Sequence, residues 1–277
     1  MHLPYPSLLL ATCMLIAGTQ PVSASVTKTY TNGENDTNAY TGNVTLTVNG
    51  TDSATQSGNL SGNGDVTKDG TGTLTLSGTN SKRGGGDLLA GTLIVNGSLS
   101  LTAGSLAVYS GATLGGNGTL GGRAPHIFSG AHLAPGNTSP GTITFTNGLY
   151  LNPGAFLDLR LGTTSDKIAV TGDVLTGPTS GTITVNLSDS GGFTADTYTL
   201  IDLGAVLDPG FGASDFVLGT LISGTQLSDY SFALNGSLLQ LTFIGTVIPE
   251  PASTAVAAAL LALGGTLWVR SRRPRAA

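Results

Sequence analysis

Cysteine is nearly absent from this chain: Cys13 is the only one in 277 residues. It lies in an N-terminal apolar stretch, so no disulfide framework holds the fold, and stability has to come from packing and backbone hydrogen bonds. Large core-forming side chains are scarce too, with one Trp and aromatics at 6%. Charged residues make up only 10%, and the formal net charge is −5. Four of the 11 Lys and Arg residues crowd the C-terminal end, so the rest of the chain is more acidic still. No cationic cluster remains to meet a phosphate backbone, which argues against nucleic acid as a partner. Apolar residues nevertheless reach 39%, too many for charge-driven disorder. What the chain has in quantity is glycine, 42 residues, set among threonine, serine and asparagine.

Both ends read as targeting segments. The stretch Ser7–Gly18 holds an apolar run from Leu8 to Ala17, and Val22-Ser23-Ala24 places small residues where a signal peptidase reads them. Residues 1–24 are therefore expected to be a signal peptide cleaved after Ala24, although its n-region carries no Lys or Arg. Thr12 and the short run before it make a poor lipoprotein box around Cys13. At the other end, Pro249-Glu250-Pro251 precedes an uncharged run, Ala252–Val269, and then Arg270, Arg272, Arg273 and Arg275. As a helix, about 18 residues would span about 27 Å, close to the hydrocarbon thickness of a bilayer. The arginines should stay on the cytoplasmic side, leaving everything upstream outside. Two prolines around one residue keep the motif extended and out of the helix, where a protease could bind it.

That order of parts resembles the PEP-CTERM sorting signal of Gram-negative bacteria. The resemblance covers residues 248–277 and implies an exosortase-type processing enzyme as partner. It also implies residence in the inner membrane through the helix 252–269 before processing, and the cell surface or extracellular space afterwards. A permanent single-span anchor is the other reading of the same residues.

Between the ends the text is all-β. Val44-Thr45-Leu46-Thr47-Val48 alternates with period two and ends on Asn49-Gly50, a strand and a turn. The rest of residues 25–64 is polar and is expected to cover the first coil of the repeat downstream. From Asp65 on, short β runs closed by Gly or Asn-Gly recur at Thr73–Gly78, Thr92–Gly97, Thr142–Gly148 and Gly181–Leu187. Leu74, Leu93 and Leu114 recur about every 20 residues, the mark of a solenoid. The expected fold is a right-handed parallel β-helix over residues 65–203, since scarce aromatics and abundant Gly, Thr and Leu suit a narrow bore. A β-sandwich is the alternative. Residues 204–247 are expected to form terminal strands or a cap, with a hairpin over Asn235-Gly236.

Val66-Thr67-Lys68-Asp69-Gly70-Thr71-Gly72-Thr73-Leu74-Thr75-Leu76-Ser77-Gly78-Thr79-Asn80, followed by Leu89-Ala90-Gly91-Thr92-Leu93-Ile94-Val95, resembles the autotransporter-associated β-strand repeat. It departs from the family at Ser81–Asp87, where Lys82-Arg83-Gly84-Gly85-Gly86 replaces an aromatic and a Gly-x-Thr. Gly115–Gly122, Leu133–Asn137 and Ser165–Ile168 are similar to later segments of autotransporter passengers. The resemblance implies a passenger-type β-helix, without an outer-membrane barrel in the strand text.

Catalysis on such a scaffold needs clustered carboxylates or a metal. Asp65 with Asp69, Asp166 with Lys167, and Asp202 with Asp208 are the candidates, each in turn-like text where Asp commonly binds backbone. Asp65–Gly70 lacks the alternating ligands and closing Glu of a calcium loop. His126 and His132, near Pro125 and Pro135, lack a third metal ligand and read as loop residues. No phosphate-binding glycine loop between strand and helix is present. No catalytic residue, cofactor or metal site is assigned. The expected role is structural or adhesive, linked through the resemblance to exopolysaccharide and biofilm. The alternative is a carbohydrate-active β-helix enzyme.

Overall fold

The computed structural model describes residues 25–172, 175–176, 180–204 and 212–245. Ala24, the leader before it, Pro249, Glu250, Pro251, the run 252–269, Arg270, Arg272, Arg273, Arg275 and Asp208 lie outside the described residues. Among the described residues no helix is long and apolar enough to cross a membrane.

Short strands follow from the local sequence, because Thr, Val, Leu and Ile alternate for about four residues before a glycine turns the chain. The third coil sets the pattern: Val66–Asp69 lies on a first face, Thr73–Leu76 on a second, and Thr79–Lys82 on a third. Each strand pairs with its equivalents in the coils before and after, giving sheets of 8, 9 and 10 strands. The chain is thus a three-faced β-solenoid of about seven turns. Every pairing within the first two sheets is parallel, which excludes the β-sandwich. Leu74, Leu93 and Leu114 stand in register, as their recurrence in sequence predicts.

Glycine is required at some corners. Gly70 has φ 76°, and a Cβ there would lie 2.3 Å from the Val48 carbonyl oxygen of the coil below. No side chain fits that approach.

The bore takes every second residue of each strand. Leu46, Leu74, Leu88, Leu99, Leu114, Leu133 and Phe145 are all fully or almost fully buried. At roughly 1.5–3 kcal/mol for each large apolar side chain removed from water, these rows dominate the folding energy. Polar residues enter the bore only with partners. Asn80 accepts from Leu60 N at 2.9 Å and donates to Ser98 O at 3.0 Å, tying three coils together. Lys68, 2% exposed, donates through Nζ to the carbonyls of Asp69, Gly70 and Ala90. Lys82, 0% exposed, reaches the carbonyls of Gly42 and Ser61. The ammonium groups thereby satisfy corner carbonyls that would otherwise be orphaned in the interior.

The polar stretch from Ser25 lies in the same stack. Val26–Tyr30 pairs in parallel with Val44–Val48, and the latter with Val66–Asp69. At its open end Lys28 meets Glu34 and Asp36, Tyr30 donates to Gln56 Oε1 at 2.6 Å, and Tyr40 donates to Asp36 Oδ2 at 2.6 Å. The other end closes differently. Phe216–Leu218 adds a parallel strand to the second face, and a hairpin of Tyr230–Asn235 and Leu238–Phe243 pairs antiparallel with Thr197–Asp202 on the third. Its two-residue turn is Gly236-Ser237, one position beyond the expected Asn235-Gly236, with Gly236 at φ 61°. Phe193, Tyr198, Tyr230 and Phe243 pack together behind it, with ring centroids 4.7–6.5 Å apart.

Candidate functional site

The second face carries a loop that the earlier coils lack. In the fourth and fifth coils the chain passes from second face to third within two residues, from Val95 to Ser98 and from Gly116 to Thr119. In the sixth it leaves His132–Pro135 and re-enters only at Thr142–Phe145. The inserted residues, Gly136 to Gly141, form a strap over the face. Insertions in a repeat array commonly mark its binding side.

Arg160 and Asp166 build this strap. Asp166 is fully buried; its carboxylate accepts from Arg160 N, Nε and Nη2, and from Gly141 N at 2.8 Å. The guanidinium also donates to the carbonyls of Pro135, Asn137 and Ser139, all within 2.9 Å. A bidentate, charge-assisted pair of this kind fixes geometry as well as contributing energy. Gly136 closes the contact: at φ 76° it leaves room for Arg160 Nη2, which a Cβ would approach to 2.3 Å.

Beside the strap the face is hollow. Ile94, Gly115 and Ala134 stand in register, and the two small residues leave a cavity of about 490 Å³. Its walls include Thr92, Thr113, Asn137, Asp158, Asn186 and Ser188. Asp158, with its side chain 35% exposed, accepts from His132 Nδ1 and from Asn186 Nδ2, each at 2.7 Å. The carboxylate thereby sets the His132 tautomer, and Phe156 holds the ring by stacking at 4.6 Å. Asn186 Oδ1 accepts Thr220 N at 2.9 Å, securing the far wall. A second cavity of about 290 Å³ lies on the other side of the strap, lined by Glu34, Thr55, Thr75 and again Asn137.

The residues singled out in sequence are distributed otherwise. Asp65 accepts Gly85 N and Asp69 accepts Gly70 N, both at 2.7 Å, and Asp202 accepts Gly204 N at 3.4 Å; these carboxylates hold corners. Asp166 is a corner residue of a stronger kind, and Lys167 opens the following strand. His126 and His132 are strand residues, not loop residues. His126 faces outward on the first face, stacked between Phe128 at 5.9 Å and Tyr150 at 4.3 Å, and burial lowers its pKa. Of the two histidines only His132 touches a side chain of the cavity wall, Asp158, while Asp166 holds the wall residue Arg160. Among the described residues no group of three or more His, Cys, Asp or Glu side chains could hold a metal ion.

Asp158, Arg160, Asn137 and Asn186 carry no motif. In Phe156–Gly162 both charged residues are the outward members of an ordinary alternation, so only register shows what they meet. Chemically, the larger cavity offers one carboxylate, Asp158, with hydroxyls, amides and an apolar floor. No family model matches the chain, and no curated protein matches it.

Proposed function

We propose that this is an exported surface or extracellular-matrix protein with a structural or adhesive role, delivered by the sorting signal at residues 248–277. In this reading an exosortase-type enzyme processes the chain near Pro249-Glu250-Pro251. The stack is right-handed, in keeping with the preferred hand of parallel crossovers. The observation that carries the reading is the continuous β-solenoid itself. It presents long, rigid outward faces, while the acids at Asp65, Asp69 and Asp166 are engaged in holding corners. The rows of a passenger-like β-helix and the tripartite tail, taken together, support an exported display module.

Intact mass measured on each cell fraction of the native host tests this. The expected protein lacks residues through Ala24 and the tail beyond about Pro249, and it is found at the surface or in the medium. Retention of Ala252–Ala277 in the membrane fraction would remove the sorting step and leave an anchored solenoid.

A further inference from the structure

The rows of the second face continue from coil to coil, and their side chains change character in an ordered way. Ser53, Thr73, Thr92 and Thr113 stand in register along one outward row. Thr55 and Thr75 begin the neighbouring row, which then runs through Ile94, Gly115 and Ala134. A hydroxyl therefore recurs from the second coil to the fifth, about every 4.8 Å, before the first row passes to His132 and Phe156. That repeat is close to the length of one hexose in an extended chain. Asn137 of the strap lines both cavities, which follow one another along this face, the smaller at Glu34 in the first coil and the larger extending to Thr220.

Charge narrows the occupant. Of the carboxylates that line the two cavities, Glu34 is paired with Lys28, which leaves Asp158 as the lining carboxylate without a Lys or Arg partner, while the donors of Arg160 go to Asp166 and three backbone carbonyls. An anionic polymer would meet repulsion without a compensating cation. Hydroxyl donors, by contrast, suit the exposed lone pairs of Asp158, which His132 and Asn186 fix in direction. Ile94, Ala134 and Pro135 offer an apolar floor for the C–H face of a sugar ring. The first face is less suited, because its aromatics Tyr109, Phe128, His126 and Tyr150 stack on one another.

We propose that the second face binds a neutral polysaccharide strand along the solenoid axis, with Asn137 of the strap beside it and Asp158 accepting its hydroxyls. This names the ligand class for the adhesive reading above and rests on it only for the biological setting.

The test is affinity electrophoresis of the protein isolated from its native host, in native gels containing hydroxyethyl cellulose, glucomannan or alginate. Ala134→Trp fills the larger cavity, Thr75→Trp obstructs the smaller, and Tyr150→Ser on the first face serves as the control. Thermal midpoints check that each variant folds. We expect retardation by at least one neutral polymer and none by alginate. Ala134→Trp should weaken it about ten-fold or more, a change of about 1.4 kcal/mol, and Tyr150→Ser should not alter it. No retardation by either neutral polymer overturns the proposal, as does retardation by alginate alone. Equal retardation of wild type and both tryptophan variants also overturns it. A concentration-dependent dimer abolished by Ala134→Trp would assign the face to a second copy instead. If binding fails while the mass data show a processed surface protein, only the ligand assignment falls.

Discussion

The two ends of the solenoid meet the same difficulty with opposite chemistry. A stack of parallel strands leaves unpaired backbone and an open bore at each end, a template for adding more strands. The N-terminal end fills its bore with charge: Lys28, Glu34 and Asp36 interact there, and Tyr30, Tyr40 and Gln56 complete the network. The C-terminal end lays an antiparallel hairpin across the third face and seals it with Phe193, Tyr198, Tyr230 and Phe243. The first closure depends on protonation state and the second does not. Sealing a solenoid therefore has two independent solutions in one chain, and each can be broken separately.

The largest effect should come from the apolar end. Phe243 is 1% exposed and touches both Phe193 and Tyr230, so Phe243→Ala should cost about 3–5 kcal/mol. Urea unfolding monitored by far-UV circular dichroism would register it as a lower midpoint at unchanged slope.

The polar end should respond less, but to acid. Burial pushes the Asp36 carboxyl up, yet hydrogen bonds from Tyr40 and Asn38 and the charge of Lys28 outweigh it and hold the pKa below the usual value. A depressed carboxyl stabilises the fold above its unfolded pKa and loses that contribution as pH falls through its lower folded pKa. The amides of Val26–Tyr30 should therefore lose exchange protection below about pH 4, after correction for intrinsic rates. Those of Leu238–Phe243 should keep theirs. Asp36→Ala should reproduce the loss at neutral pH, at about 1–3 kcal/mol, by orphaning Tyr40 Oη and the Asn38 donors.

The bore between the ends offers the smallest and most specific signal. Burial lowers the Lys68 pKa to about 8, so the unfolded chain holds that proton more tightly than the folded one. Stability should then rise as pH increases from about 8 toward about 10, by an amount on the order of 1–2 kcal/mol. Lys68→Met should flatten that rise. An unchanged slope would mean that the carbonyls of Asp69, Gly70 and Ala90 offset the burial completely.

Much of the fold is legible in the sequence wherever inward positions are apolar. Thr73–Leu76, Thr92–Val95 and Thr142–Phe145 show the period of two because Leu, Ile, Val or Phe fills each bore position. The polar opening reads as a covering segment for the opposite reason. Its inward residues include Lys28, Asp36 and Gln56, and its strands Asn35–Asp36 and Tyr40–Thr41 are too short to display a period. The groove is less legible still. Asp158 meets His132 and Asn186 across intervals of 26 and 28 residues; the strap insertion lengthens the first interval only, and neither leaves a local pattern. Asp166 stands out in sequence as an acid beside Lys167, whereas its partner in space is Arg160, earlier in the chain by six residues.

Two closed ends also set a length. The eight strands of the first sheet, at about 4.8 Å each, make a rod of roughly 34 Å between outermost strands. Among the described residues the two tips differ in chemistry, with an ion-paired cluster around Asp36 at one and a crossing hairpin at the other. The reach of the described stack follows from how many coils are encoded, as on a ruler.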